Sequence, residues 1–135
     1  TNKSLSLELE TKRDPWSVNY FSQLAGEIIF SNQQEIKDYV KLSREKIAAE
    51  RKYLYQKLKK FKRLKVYQPT TNYIFIDISE TNYNSAELKQ ELSKAAILIR
   101  NCDSYYNLQD NYIRVAVKNR KANKILIEKL KIILE

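Results

Sequence analysis

Two arginines lie inside segments that the sequence predicts to be β-strands. Arg100 closes the apolar run 97–99, and Arg114 lies in the alternating run 112–117. A strand directs each side chain to one face of its sheet, so a buried arginine there needs an anionic partner. The planar guanidinium can hold a carboxylate or phosphate through two parallel hydrogen bonds. The pattern alone favours the simpler alternatives, a solvent-facing arginine or a structural ion pair.

Other reactive residue types are scarce. The chain has no histidine and one cysteine, Cys102. The commonest general base and metal ligand is therefore missing, and no internal disulfide can form among these residues. Cys102 has no activating partner visible in the sequence, which predicts a small packed residue and not a nucleophile. Asp77 has no second carboxylate at a suitable spacing. We expect no catalytic residue and no metal site in this segment.

Hydrophobic periodicity predicts the elements that would position the arginines. A polar start, 1–14, with alternating Leu5, Leu7 and Leu9, is expected to form a short strand or the tail of a preceding element. The predicted helices are 17–30, 33–61, 86–95 and one from the cap Asn119 to 134, and the predicted strands are 64–67, 72–78, 97–100 and 112–118. This order predicts one α+β domain over residues 1–135: a small, mostly antiparallel sheet packed with helices and preceded by a long helix.

The formal net charge of +9 allows two interpretations. One is a surface for nucleic acid or an anionic membrane. The other is a lysine-rich surface without a polyanionic partner, which we favour because charge alone says little about partners. One basic cluster stands out: Lys57, Lys59, Lys60, Lys62, Arg63 and Lys65. No apolar run approaches the roughly 20 residues of a membrane helix, and a cytoplasmic setting fits best.

Five motifs follow one another in an order typical of one enzyme family. They are Asp-Pro-Trp-Ser-Val-Asn at 14–19, Ser-Arg-Glu at 43–45 in the long helix, Pro-Thr-Thr-Asn-Tyr at 69–73, Ile-Arg-Asn-Cys-Asp at 99–103, and Tyr-Ile-Arg-Val-Ala-Val-Lys at 112–118 with Arg120 and Asn123. In this order they resemble the carboxy-terminal small domain of fold-type-I aminotransferases, which use pyridoxal 5'-phosphate (PLP). The nearest group contains histidinol-phosphate aminotransferase and the threonine-phosphate decarboxylase of cobalamin biosynthesis.

The sequence departs from the family's pattern at three places. Asn101 replaces an aspartate that usually precedes Cys102 in the decarboxylase branch. Alanines 95 and 96 stand where a glycine often precedes the strand that ends at Arg100, and Asn107 stands where a glycine often follows an aromatic residue. The motif at 99–103 is nevertheless closest to the decarboxylase branch, so the resemblance implies a decarboxylase-like enzyme. Because of the departures, the histidinol-phosphate-type aminotransferase stays the alternative. A basic nucleic-acid-binding module is a second alternative.

The resemblance also implies roles for individual residues. Arg114 corresponds to the arginine that grips the substrate's α-carboxylate, and Arg100 to one that helps to hold an anionic substrate group, carboxylate or phosphate. Asn19 and Trp16 would lie near the active site, where the small domain meets the cofactor-binding domain. Residues 1–14 would form the junction with that larger domain.

The resemblance further implies that PLP binds in the full-length enzyme and that this fragment alone binds none. The family's cofactor-binding lysine is expected upstream of Thr1, so the fragment by itself is expected to be inactive. An amino-acid substrate, possibly phosphorylated, the large domain of the same chain and a second copy in a homodimer are the implied partners.

Overall fold

The computed structural model describes residues 2–14 and 17–135. The described residues form α1 (Lys3–Lys12), α2 (Tyr20–Ser31), α3 (Gln33–Leu58), β1 (Lys65–Val66), β2 (Tyr73–Asp77), α4 (Ser85–Ser93), β3 (Arg100–Asn101), β4 (Tyr112–Ala116) and α5 (Arg120–Leu134). The chain divides into two units, 1–42 and 43–135, and the division falls within α3. None of the helices formed by the described residues is both long and apolar enough to cross a bilayer.

The first unit contains α1, α2 and the start of α3. The strand expected at Leu5, Leu7 and Leu9 is wrong, because these residues lie on helix α1. The Asn2 side chain caps that helix by accepting from the backbone amides of Ser4 and Leu5. No residue of α1 or α2 is buried. The alternating leucines therefore do not indicate a buried strand face, and the cap at Asn2 favours the helix instead.

The second unit contains a four-stranded antiparallel sheet in the order β1-β2-β4-β3. Strands β2 and β4 alternate as predicted. Ile74, Ile76, Ile113 and Val115 are buried on one face, whereas Tyr73, Phe75 and Tyr112 stay partly accessible on the opposite face. The α+β fold with a small antiparallel sheet is thus confirmed.

The buried face of the sheet packs with apolar residues from the helices of the second unit. They are Leu54 and Leu58 of α3, Leu88 and Leu92 of α4, and Leu126 and Leu130 of α5. Fully burying a side chain of this size contributes about 1.5–3 kcal/mol. This core holds β4 in place and with it the side chains on the opposite face of the sheet.

Two departures from the family pattern have a direct structural counterpart. Ala96 and Asn107, the two residues that stand where glycines are usual, have φ angles of 57° and 61°. This left-handed region favours glycine because it has no Cβ. The turn at Ala96 also shortens the predicted strand 97–100. The Ile97 amide donates back to the Leu92 carbonyl at 3.1 Å, and strand pairing begins only at Arg100.

Candidate anion-binding site on the sheet

Strand register brings the two predicted arginines together. Arg100 of β3 is the direct antiparallel partner of Arg114 of β4. Directly opposed residues project from the same face of a sheet, with Cα atoms about 4.5–5.5 Å apart. Two positive charges at this spacing repel each other. The pairing therefore concentrates positive charge on the sheet face opposite the core.

Arg114 is held on two sides. Its guanidinium carbon lies 3.8 Å from the centre of the Tyr73 ring, a close cation–π contact. Its Nη1 donates to the Tyr105 hydroxyl at 2.8 Å. Its Nε is buried and has no hydrogen-bond partner among the described residues. Because Nε and Nη2 lie along one edge of the guanidinium, the edge suited to a two-pronged bond with an oxyanion is the edge that makes no hydrogen bond to the described residues.

Arg100 is more exposed and touches the same loop. Its Nη2 donates to the Ser104 hydroxyl at 3.1 Å, and its guanidinium carbon lies 6.0 Å from the centre of the Tyr105 ring. In the part of the chain that the structure describes, neither Arg100 nor Arg114 forms an ion pair with a carboxylate. Both cations are thus held by neutral groups, and neither is neutralised.

Cys102 lies beside the arginines but is a packed residue, as predicted. Its side chain is fully buried. Burial raises the pKa of the Cys102 thiol, and the positive charges of Arg114 and Arg100 oppose this effect without cancelling it. A thiol with a raised pKa stays protonated at neutral pH and is a poor nucleophile.

Aromatic rings continue the face on the other side of Arg114. Phe75, the partner of Arg114 on β2, stacks between Tyr67 and Tyr112 with ring centres 5.3 and 5.2 Å away. Asp77 is largely buried, and its carboxylate accepts from the Ser79 amide at 2.9 Å. The open part of this face therefore combines aromatic surface with the two guanidinium groups.

Asn19 and Trp16, the other predicted site residues, belong to the first unit. Asn19 caps α2, and its side-chain oxygen accepts from the Ser22 amide at 2.9 Å. Trp16 lies outside the described residues. A role for either near an active site stays a prediction.

Arg120 and Asn123 of the final motif bind the protein itself. The Arg120 guanidinium forms an ion pair of 2.9 Å with Glu50 on α3 and lies 3.8 Å from the Tyr53 ring. The buried Asn123 side chain donates to Glu50 and to the Lys118 carbonyl, and it accepts from the Lys118 amide. The hydrogen bonds from Arg120, and secondarily from Asn123, lower the pKa of Glu50 despite its partial burial. These motif residues tie α5 to α3.

The basic cluster lies between the end of α3 and β1. Three lysines in it lie over tyrosine rings of the same chain: Lys57 over Tyr53, Lys59 over Tyr55 and Lys65 over Tyr67, at 5.8, 5.6 and 5.5 Å. Cations spread over their own surface aromatics in this way are common on protein surfaces. The geometry gives no specific support to a nucleic-acid interface.

That PLP binds in the full-length enzyme and not to this fragment alone stays a prediction. Every lysine is exposed or partly exposed, whereas a lysine that binds a carbonyl cofactor is typically desolvated. The single glycine, Gly26, lies within α2, so there is no glycine-rich loop to hold a phosphate. Over residues 2–14 and 17–135, acidic and thiol groups form no cluster of three that could hold a metal ion.

Several known proteins are similar to this chain in both sequence and fold. The chain is 31% identical to histidinol-phosphate aminotransferase of Methanopyrus kandleri over 99% of its length, covering 33% of that protein. It is 31% identical to a putative threonine-phosphate decarboxylase of Caldanaerobacter subterraneus over 95% of its length, covering 33% of that protein. The crystal structure of the histidinol-phosphate aminotransferase from Clostridium acetobutylicum superposes with a TM-score of 0.83 at 28% identity, covering 98% of this chain and 38% of that one.

The chain thus spans about a third of the length of the curated relatives that it matches. The family model for aminotransferase class I and II matches residues 8–130, which include both arginines and the whole sheet. Enzymes of this family generally depend on PLP. The chain belongs to the aminotransferase class I and II family.

Proposed function

We propose that this chain is the substrate-binding small domain of a PLP-dependent enzyme, in which Arg114 holds an anionic group of the substrate and Arg100 a second one. The edge of Arg114 that lacks a hydrogen-bond partner carries the proposal. Its Nε is buried without a partner in the described chain, while Tyr105 and Tyr73 hold the rest of the group. A buried donor without an acceptor costs about 1–3 kcal/mol. An oxyanion at this edge would remove that cost and balance the charge.

The substrate that we propose is a phosphorylated amino compound. The relatives are named for histidinol phosphate and threonine phosphate, both of which carry a phosphate group. A pair of arginines without carboxylate partners suits a ligand with two or more negative charges. We infer that Arg114 takes the α-carboxylate and Arg100 a carboxylate or phosphate.

Two reactions fit this arrangement. The motif at 99–103 favours an L-threonine-O-3-phosphate decarboxylase, and the names of most relatives favour a histidinol-phosphate-type aminotransferase. Cys102, one of the motif's distinctive residues, is fully buried. It therefore contributes packing to either enzyme and does not discriminate between them.

The remainder of the full-length protein would bind the cofactor. When bound, PLP supplies an electron sink for a substrate carbanion. The residues of this chain would orient the substrate by its anionic groups and so influence which of its bonds reacts. We further propose that the exposed apolar residues of the first unit, among them Phe21, Ile28 and Phe30, pack against that remainder, and that the enzyme is a cytoplasmic homodimer.

The test uses the full-length protein with Arg114→Gln and, as a matched control, Arg63→Gln at an exposed position. L-threonine O-3-phosphate carries both a carboxylate and a phosphate, whereas histidinol phosphate carries only the phosphate. Release of CO2 from the first compound indicates the decarboxylase, and amino transfer from the second to a keto acid indicates the aminotransferase.

We expect Arg114→Gln to raise KM for the carboxylate-bearing substrate. Removing one partner of a buried charge pair costs about 2–5 kcal/mol, which corresponds to roughly 30-fold to several thousand-fold in KM. Arg63→Gln should leave KM within about twofold, because an exposed charge contributes little. An unchanged KM in Arg114→Gln would contradict the proposed role of Arg114.

A further inference from the structure

The loop that joins β3 to β4 is folded so that Tyr105 has a fixed place. The Tyr105 amide donates to the Cys102 carbonyl at 3.1 Å, and the Leu108 amide donates to the Tyr105 carbonyl at 3.1 Å. Cys102 itself is buried, and its amide donates to the Tyr112 carbonyl of β4 at 2.9 Å. Asn107 completes the turn with its left-handed backbone. The backbone of Tyr105 is thus anchored on both sides.

This loop offers the arginines neutral acceptors. The hydroxyls of Tyr105 and Ser104 accept from Arg114 and Arg100. The neighbouring carboxylate, that of Asp103, instead accepts a hydrogen bond from the side-chain amide of Asn101 at 2.9 Å. A hydroxyl satisfies one guanidinium donor without cancelling the charge, whereas a carboxylate would form an ion pair and compete with an incoming anion. The contacts therefore orient the two cations and leave their charge available.

We infer that Tyr105 is a positioning residue for Arg114, an inference that rests on the anion-binding role proposed above. Its hydroxyl holds Nη1, and the Tyr73 ring covers one side of the guanidinium. Together they orient the guanidinium without occupying the edge formed by Nε and Nη2, where the ligand would bind. A free arginine side chain loses rotamer freedom when it binds a ligand. Holding Arg114 in advance reduces that loss and strengthens binding of the anion.

The test is Tyr105→Phe in the full-length protein, which removes the hydroxyl and keeps the ring. The matched control is Tyr106→Phe at the adjacent position, where the side chain is 94% exposed. Binding of inorganic phosphate, a general oxyanion probe, is measured by titration calorimetry. KM and kcat are measured with a carboxylate-bearing substrate: L-threonine O-3-phosphate if the protein is a decarboxylase, or the keto acid that accepts the amino group if it is an aminotransferase. A thermal melt of each variant reports any loss of structure.

We expect Tyr105→Phe to weaken phosphate binding and raise KM by about tenfold, since the lost hydrogen bond is to a charged group and water replaces only part of it. We expect kcat at saturation and the melting temperature to stay at the parent values. Tyr106→Phe should match the parent in every measurement. A role confined to folding would lower the melting temperature and would not separate KM from kcat.

Phosphate binding and KM within twofold of the parent in Tyr105→Phe would overturn the inference. So would an equal loss in Tyr106→Phe, or a change confined to kcat or to the melting temperature. Arg114→Gln, assayed in parallel, separates the two proposals. If it leaves phosphate binding and KM unchanged, the anion site itself is wrongly placed. If it weakens both while Tyr105→Phe does not, only the positioning role fails.

Discussion

Ala96 has a backbone conformation that suits glycine better than alanine. Replacing alanine by glycine usually destabilises a protein, but here we expect the opposite. Its amide donates to the Ser93 carbonyl at 2.9 Å, and the next amide, of Ile97, donates to the Leu92 carbonyl at 3.1 Å. These two bonds form the Schellman ending of α4, whose left-handed residue is usually glycine. Ala96 adopts this conformation with φ at 57°. We expect Ala96→Gly to stabilise the protein.

The expected gain is the difference between two opposing effects. The left-handed conformation costs an L-residue about 1–2 kcal/mol. Glycine relieves that strain but gives the unfolded chain extra freedom, which costs about 0.4–1 kcal/mol. The Ala96 side chain is exposed, so removing Cβ sacrifices little burial. The net stabilisation is about 0.5–1 kcal/mol, or roughly 2–5 °C in melting temperature for a chain of this size.

The assay is urea unfolding followed by far-UV circular dichroism, with Ala95→Gly as the matched control. Ala95 precedes Ala96 and does not have a positive φ. Its replacement should therefore destabilise the protein by about 0.4–1 kcal/mol through the unfolded state alone. Opposite signs at adjacent alanines would be hard to explain otherwise. The reasoning fails if Ala96→Gly lowers the free energy of unfolding, or if the two variants change it equally.

Three further predictions concern the polar side chains of Ser85, Asn84 and Glu50. The Ser85 hydroxyl is buried without a partner among the described residues, so Ser85→Ala should leave the free energy of unfolding unchanged or raise it by up to about 1 kcal/mol. Asn84→Ala removes the capping box of α4 and should lower the free energy of unfolding by about 1 kcal/mol. A clear loss in Ser85→Ala would show that the hydroxyl has a partner. Glu50 has a lowered pKa in the folded protein because Arg120 and Asn123 bind it. The contribution of Glu50 to folding stability is therefore fully present above its unfolded pKa of about 4.3 and disappears as pH falls through the lowered folded value. Stability measured against pH should accordingly fall less steeply on the acid side in Glu50→Gln, and identical slopes would refute this.

The sequence predicted the central strands well because each carries a strict alternation over a buried face. In β2 and β4 the alternating isoleucines and valine are those that reach the core. Residue type also indicates the helix caps. The side chains of Asn84 and Asn119 each accept hydrogen bonds from backbone amides at the start of a helix, as is typical of asparagine. The alternation of Leu5, Leu7 and Leu9 misled because no face of α1 is buried. A period of two indicates a strand only where one side is covered.

The site was predictable only in part. Both arginines were identified from their places in strands, and the β3–β4 register explains why they form a pair. Tyr105 and Ser104 were missed, because nothing in a loop sequence shows that it folds back over a neighbouring strand. The one available signal was Asn107, which stands at a glycine position and marks a left-handed turn. Tyr73 lies on the same sheet face as Arg114, but its stacking on Arg114 depends on side-chain conformation.

Helices α1 and α2, ten and twelve residues long, have a consequence for the order of events in folding. Helices shorter than about 12–15 residues are marginal in water without packing, and these two bury none of their residues. In this chain alone, their amides should therefore exchange hydrogen with solvent much faster than those of β2 and β4. Whatever surface covers them in the full-length protein must also order them, so their docking and their folding become a single step. The free energy of that contact is reduced by the ordering entropy, and the amino-terminal third of the chain would be the first part to open under stress.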